Sequence, residues 1–129
     1  MPHTRIFDGT EAGGGYARAV RAGAMVFVAG TTSLRPDGTA VGADVYTQTV
    51  ATYDKIEAAL EKAGARLSDV VRVTAYITDM AAADGFIRAQ TERFGETEVP
   101  TAALIGGIEL LIPELLIEIE ATAIIDGAA

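Results

Sequence analysis

Near the end of the chain two glutamates alternate with isoleucines, in the run Ile117-Glu118-Ile119-Glu120. On a strand with one face in water, this alternation is an ordinary amphipathic pattern with the carboxylates solvated. On a strand covered on both faces, a glutamate has to be paired, hydrogen-bonded or functional. A carboxylate in that setting can take a proton from a water molecule and make it a nucleophile. Glu118 is the candidate general base, and Glu120 is expected to pair structurally. Few other groups compete for the role. There is no cysteine, which excludes thiolate catalysis, disulfides and zinc–thiolate sites. The only histidine is His3, close to a chain end, where backbone is often mobile.

Cations and hydrogen-bonding groups are also sparse. Tyr16 and Arg18 lie two residues apart, so on a strand both side chains point to one face. Either both line a cleft, or Tyr16 packs at an edge and Arg18 is a solvated surface arginine. Arg88 falls in a predicted helix and offers a second cation, again with a plain surface position as the alternative. Gly30 lets backbone approach a ligand, or simply ends a strand.

These residues need elements to position them. Arg5 to Asp8 reads as a short strand, followed by Gly13-Gly14-Gly15. Tyr16–Arg21 and Met25–Ala29 read as two strands, with Gly23 where a tight hairpin turn needs it. Met25-Val26-Phe27-Val28-Ala29 is apolar throughout, the pattern of a strand buried on both faces. One face must meet helices, and the other is expected to meet a further subunit. Arg35-Pro36-Asp37-Gly38 has turn chemistry.

Asp44 is placed to cap a helix over about Val45 to Ala63. Thr49, Tyr53, Ile56, Leu60 and Ala63 form its apolar stripe, and Gly64 is the stop. Asp69–Thr78 reads as a strand. Asp79 caps a second helix, about Met80 to Phe94, which contains Gly85 and ends at Gly95. Thr101–Ile105 and Leu115–Ile124 read as the last two strands. The order is that of an α+β protein with one mixed sheet and two helices on one face, as a single domain over residues 1–129.

Composition narrows the function. The net charge is −8 with a sequence pI of about 4.5, and no basic cluster offers a surface for phosphates. Nucleic-acid and anionic-membrane partners are therefore not expected. No apolar run reaches the roughly 18 residues of a membrane span and no leader pattern is present, which reads as cytoplasmic. Half of the residues are apolar, more than a small monomer hides, so a buried subunit interface is expected.

Several segments, in this order and spacing, resemble the RidA family, also called YjgF or UK114. They are Gly15-Tyr16-Ala17-Arg18-Ala19-Val20, Val26-Phe27-Val28-Ala29-Gly30, and Asp44 with Gln48. Next come Ala63-Gly64, Ser68-Asp69-Val70-Val71-Arg72, Thr74 and Asp79, and finally Pro100 and Ile117-Glu118-Ile119-Glu120-Ala121. The resemblance implies a chorismate-mutase-like fold assembled as a homotrimer, with helices outside and small-molecule clefts between subunits. It also implies hydrolysis of reactive enamines and imines to 2-oxo acids and ammonia, with no cofactor and no metal.

In such a site an arginine two residues after a proline grips the substrate carboxylate. Here that position is Ala102, and a following cysteine position is Leu104. An asparagine position on the second helix falls on Arg88. The water-holding glutamate matches Glu118, the tyrosine Tyr16, and the cleft glycine Gly30. The water-handling half is present, and the carboxylate clamp is not. Loss of a desolvated, charge-assisted pair costs on the order of 2–5 kcal/mol of binding, so ordinary 2-imino acids are poor candidate substrates.

Two functions follow from this reading. One is an enzyme adding water to a C=N bond, with Glu118 as base and a different substrate anchor. The other is a trimer that binds a small ligand or regulatory partner without chemistry. Ribonuclease activity, suggested for some relatives, sits badly with the acidic charge and the absence of a histidine pair.

Overall fold

The computed structural model describes residues 2–126. Six strands form one sheet: β1 (Thr4–Ile6), β2 (Ala19–Ala22), β3 (Met25–Thr31), β4 (Val70–Ile77), β5 (Thr101–Gly106) and β6 (Ile117–Ile124). Their spatial order is β1-β2-β3-β6-β4-β5. Only β4 and β5 pair in parallel, and the remaining neighbours are antiparallel. Two helices make the second layer, α1 (Val45–Lys62) between β3 and β4, and α2 (Ala83–Phe94) between β4 and β5.

The helices begin and end where their chemistry directs. The Asp44 side chain accepts from the Thr47 N–H at 2.7 Å, satisfying one of the free donors of the first turn. Asp79 accepts from Ala81 in the same way, but the turn it opens, Met80–Ala82, is 3₁₀, and α-helical geometry starts only at Ala83. Gly85, about 1 kcal/mol worse than alanine in a helix interior, is there for space. A Cβ at that position would lie 3.0 Å from the Tyr46 nitrogen, so the glycine lets α2 close onto the start of α1.

Strand alternation sorts residues onto two faces. Val26, Val28, Val73, Ala75, Ile77, Ile117, Ile119, Ala121 and Ala123 face the helices and are buried. Ile56 and Leu60 of α1 are fully covered, each contributing about 1.5–3 kcal/mol of transfer free energy. Tyr53 of α1 meets Phe94 of α2 edge to face at 5.3 Å and hydrogen-bonds Gln90. The opposite face is open in the single chain. There Met25 is 38% and Phe27 45% exposed, so the all-apolar run of β3 is covered on one side only within one subunit.

Most strand boundaries differ from the sequence expectation by one to three residues, and three of the differences have a clear local cause. The second strand starts at Ala19, not Tyr16, because Tyr16 sits in a bend where its hydroxyl accepts from the Ala12 N–H at 3.0 Å. The first strand ends at Ile6, since Asp8 turns to accept from the Thr10 N–H and hydroxyl. The last strand begins at Ile117, after Gln48 has bridged the backbone of Glu114 and Leu116. The hairpin between β2 and β3 is as expected, with Gly23 at φ 62°.

Candidate active site on the open sheet face

β3 does not pair evenly with β6. Val28 stands opposite Ala121 and Thr31 opposite Ile119, so Ala29 and Gly30 together face Glu120. This is a β-bulge, which bends the strand and re-aims its residues. The bulge puts Gly30 directly against Glu118: a Cβ on Gly30 would come within 3.0 Å of both Cδ and Oε2 of that carboxylate. The absence of a side chain is what makes room for the acid.

Glu118 alternates with the core isoleucines and therefore points to the open face, paired in register with Tyr76 of β4. It is half-buried, and among the described residues its carboxylate accepts no hydrogen bond. Burial raises its pKa above the ordinary glutamate value, Arg18 opposes this, and Glu120 adds to it. Glu120 accepts from the Tyr76 hydroxyl at 3.0 Å, the structural pairing expected of it. Such a carboxylate, with free acceptor positions and a pKa moved toward neutrality, is suited to exchange a proton with water.

Arg18 and Tyr16 do not share a face. Tyr16 is exposed, whereas Arg18 is only 2% exposed and turned inward. Its guanidinium donates to the Gly30 carbonyl at 2.8 Å, to Thr31 Oγ1 at 3.1 Å, and to both oxygens of Thr10. Its Nε lies 3.5 Å from Asp8 and 3.7 Å from Glu11. Burial alone would raise the Asp8 pKa, but the hydrogen bonds it accepts from the Thr10 hydroxyl and N–H, together with the Arg18 charge, hold it well below the usual range. The cation is occupied by protein acceptors and stands behind the cleft floor, 5.5 Å from the Tyr16 ring.

The other three candidates lie elsewhere. Ala102 and Leu104 are in register with Val73 and Ala75, which puts them on the helix side of the edge strand β5. Leu104 packs partly on the core and Ala102 is exposed. Arg88 is exposed on α2, its guanidinium 3.8 Å above the Tyr46 ring of α1, a cation–π stack. One chain therefore gathers Tyr16, Arg18, Gly30 and Glu118, and places Arg88, Ala102 and Leu104 apart from them.

The open face also holds residues that the sequence did not mark as site candidates, Arg72 among them. A concavity of about 590 Å³ is lined by Tyr16, Phe27, Arg72, Thr74, Glu120 and Thr122, among others. Arg72, not Arg18, is the cation in its wall. The alternation Arg72-Val73-Thr74-Ala75-Tyr76-Ile77 carried this signal, since every second residue is polar or aromatic and the rest are core. Among the described residues no group of three or more metal-ligating side chains converges, and no helix is long and apolar enough to cross a membrane.

Comparison with known proteins decides the family. The model for the family described as Endoribonuclease L-PSP matches residues 8–125, nearly the whole chain. The chain belongs to the RidA/YjgF family. A RutC family protein of Pyrococcus abyssi is 37% identical over 85% of this chain and 86% of its own length. TdcF of Escherichia coli, provisionally named a reactive intermediate deaminase, is 27% identical over 86% of this chain and 87% of its own. Among solved structures, a YjgF/YER057c/UK114 family member from Mycobacterium tuberculosis superposes with a TM-score of 0.86 at 37% identity. It covers 96% of this chain and 100% of its own. The RidA fold, one mixed sheet with two helices on one face, is the architecture described above.

Proposed function

We propose that this RidA-family chain is a deaminase-type hydrolase acting on a small imine or enamine in a cleft between subunits of a homotrimer. The observation that carries the reading is the Glu118 carboxylate seated on Gly30, half-buried and without a hydrogen-bond partner among the described residues. The exposed apolar side chains of the open face, Met25, Phe27, Ile105 and Ile124, supply the surface that a neighbouring subunit would cover. A neighbour docked there brings its own β5 edge toward Glu118, so Ala102, Leu104 and Arg88 of one subunit complete a site begun by Glu118, Gly30 and Tyr16 of another.

In this site Glu118 takes a proton from water as the oxygen bonds to the C=N carbon. The π electrons move to nitrogen, which takes a proton from solvent water, and a carbinolamine results. Glu118 then gives its proton to the amine nitrogen, the hydroxyl proton returns to solvent, and the C–N bond breaks to release ammonia and leave a carbonyl. Atoms balance as imine plus water giving carbonyl plus ammonia. Ala102 and Leu104 make the far wall small and apolar, which favours a substrate that is neutral at that end. The deaminase name of TdcF supports the reaction class, and the apolar wall supports a different substrate range.

The test is ammonia release from a neutral imine and from a 2-imino acid generated in place by an amino-acid lyase. Faster hydrolysis of the neutral imine, lost in Glu118→Gln, supports the reading. No acceleration of either would leave a trimer that binds a ligand without chemistry. That second reading is favoured by one observation, that Arg18 is buried with both terminal nitrogens bonded to protein acceptors, out of a substrate's reach.

A further inference from the structure

On the helix side, away from the open sheet face, a groove of about 480 Å³ runs between α1 and the segment joining β3 to α1. Its walls include Ile6, Leu34, Pro36, Val41, Ala51 and Ala58. Lys55 projects from α1 into it, half-buried, with Nζ donating to the Leu34 carbonyl at 2.9 Å. Ser33, in the same wall, is 1% exposed and its hydroxyl has no hydrogen-bond partner. A buried unpartnered hydroxyl beside an apolar groove costs free energy unless something meets it.

We propose that this groove is a second binding site in which the Lys55 amine condenses with a small aliphatic aldehyde. The neutral amine attacks the carbonyl carbon, a proton passes to oxygen, and water leaves from the carbinolamine. Amine plus aldehyde gives imine plus water, with no other reactant. The alkyl chain lies along the alanine and proline wall, which has no use for a charged ligand.

The surroundings make this lysine unlike an ordinary one. Burial pulls its pKa down and the Arg18 charge adds to that, while Asp8 and Glu11 push back, leaving it at about 8. Desolvation together with a neighbouring cation is the combination that activates lysine nucleophiles. The remaining charges at the groove are committed or peripheral. Asp54 pairs with Arg93 at 2.6 Å, Arg35 bonds Thr39, and Lys62 is exposed in the last turn of α1.

The chain contains two lysines, Lys55 and Lys62, so each molecule carries its own control. The folded protein is treated with butanal and cyanoborohydride, and the alkylated lysines are located by peptide mass mapping. A parallel reaction uses formaldehyde, which is too small to gain from the groove. At pH 7.5, Lys55 is expected to react at least tenfold faster than Lys62. A lysine lowered from 10.5 to about 8 carries far more free amine at this pH, and burial and lower basicity offset part of that gain. The Lys55 rate should rise with pH to a midpoint near 8, and its preference over Lys62 should be larger for butanal than for formaldehyde. Equal labelling of the two lysines, or a midpoint near the ordinary 10.5, overturns the reactive amine. Equal preference with both aldehydes overturns the groove. Lys62→Arg, which leaves Lys55 as the sole lysine and keeps a cation at the exposed Lys62 position of the groove, should reproduce the Lys55 rate.

Discussion

Arg18 and Gly30 are joined by a 2.8 Å hydrogen bond from guanidinium to carbonyl, so the residue beneath the Glu118 carboxylate is fixed to a buried cation. Asp8, Glu11, Thr10 and Thr31 gather around the same cation. The floor of the candidate site is thus a charged network in the interior and not a loop end.

Removing that cation should be costly. Arg18→Met would leave Asp8 and Glu11 without their counter-charge and several acceptors without donors. Breaking one side of a buried ion pair typically costs about 3–5 kcal/mol. Urea unfolding of the variant against the parent measures it, and a loss under 1 kcal/mol would contradict the network's importance.

The same network sets an acid limit. The Asp8 pKa is lowered in the folded state, so its contribution to stability is complete above the unfolded value of 3.8. It disappears as the pH falls from near 4 toward the folded value. Asp8→Asn should flatten the fall in stability across that window, as read by thermal melts between pH 5 and 2.5.

For Glu118 the shift has the opposite sign. Its raised pKa means the base form is lost at a higher pH than for an ordinary glutamate. The rate of C=N hydrolysis should rise through that pKa and then level off. Glu118→Gln should lower the plateau by roughly a hundredfold and leave subunit assembly unchanged. A variant that keeps its rate would make the carboxylate structural.

Gly30→Ala tests the contact from the other side. A methyl group 3.0 Å from the Glu118 carboxyl carbon displaces the acid, while the fold around the bulge can stay intact. Turnover should fall at least tenfold with melting temperature nearly unchanged, and the double variant should be no slower than Glu118→Gln alone, as expected for two residues acting as one unit.

Assembly has a direct check. Light scattering at micromolar concentration should give three times the chain mass of 13.4 kDa. Phe27→Asp places a charge on the exposed apolar face and should shift the mass toward the monomer. A monomeric parent protein would remove the inter-subunit cleft.

Much of the fold was legible because local chemistry and global position agreed. Asp44, the stripe from Thr49 to Ala63 and Gly64 place α1 to within a residue. The site was less legible where a residue's environment comes from distant chain. Arginine is usually solvated, and nothing in the spacing announces that Asp8, Glu11 and Thr10 fold back onto Arg18. Arg88 is held by Tyr46, forty-two positions earlier. Glu118 was visible because alternation with isoleucine fixes its face, but its contact with Gly30 depends on a bulge that no residue pattern marks.

The position of β6 between β3 and β4 carries a consequence for how the chain reaches this structure. Every hydrogen-bonded link between the N-terminal hairpin and the parallel β4–β5 pair runs through Ile117–Ile124. Until that segment has been synthesised and released, β3 and β4 each present an unsatisfied edge, and the apolar side chains of both have no common sheet. Closing it joins Val28 to Ala121 and Val26 to Ala123 across more than ninety residues, a separation that makes folding slow and late. The acidic alternation of Glu118 and Glu120 then has a second effect during synthesis. It keeps the last strand to arrive from pairing with copies of itself, because like charges would face one another across such a ladder.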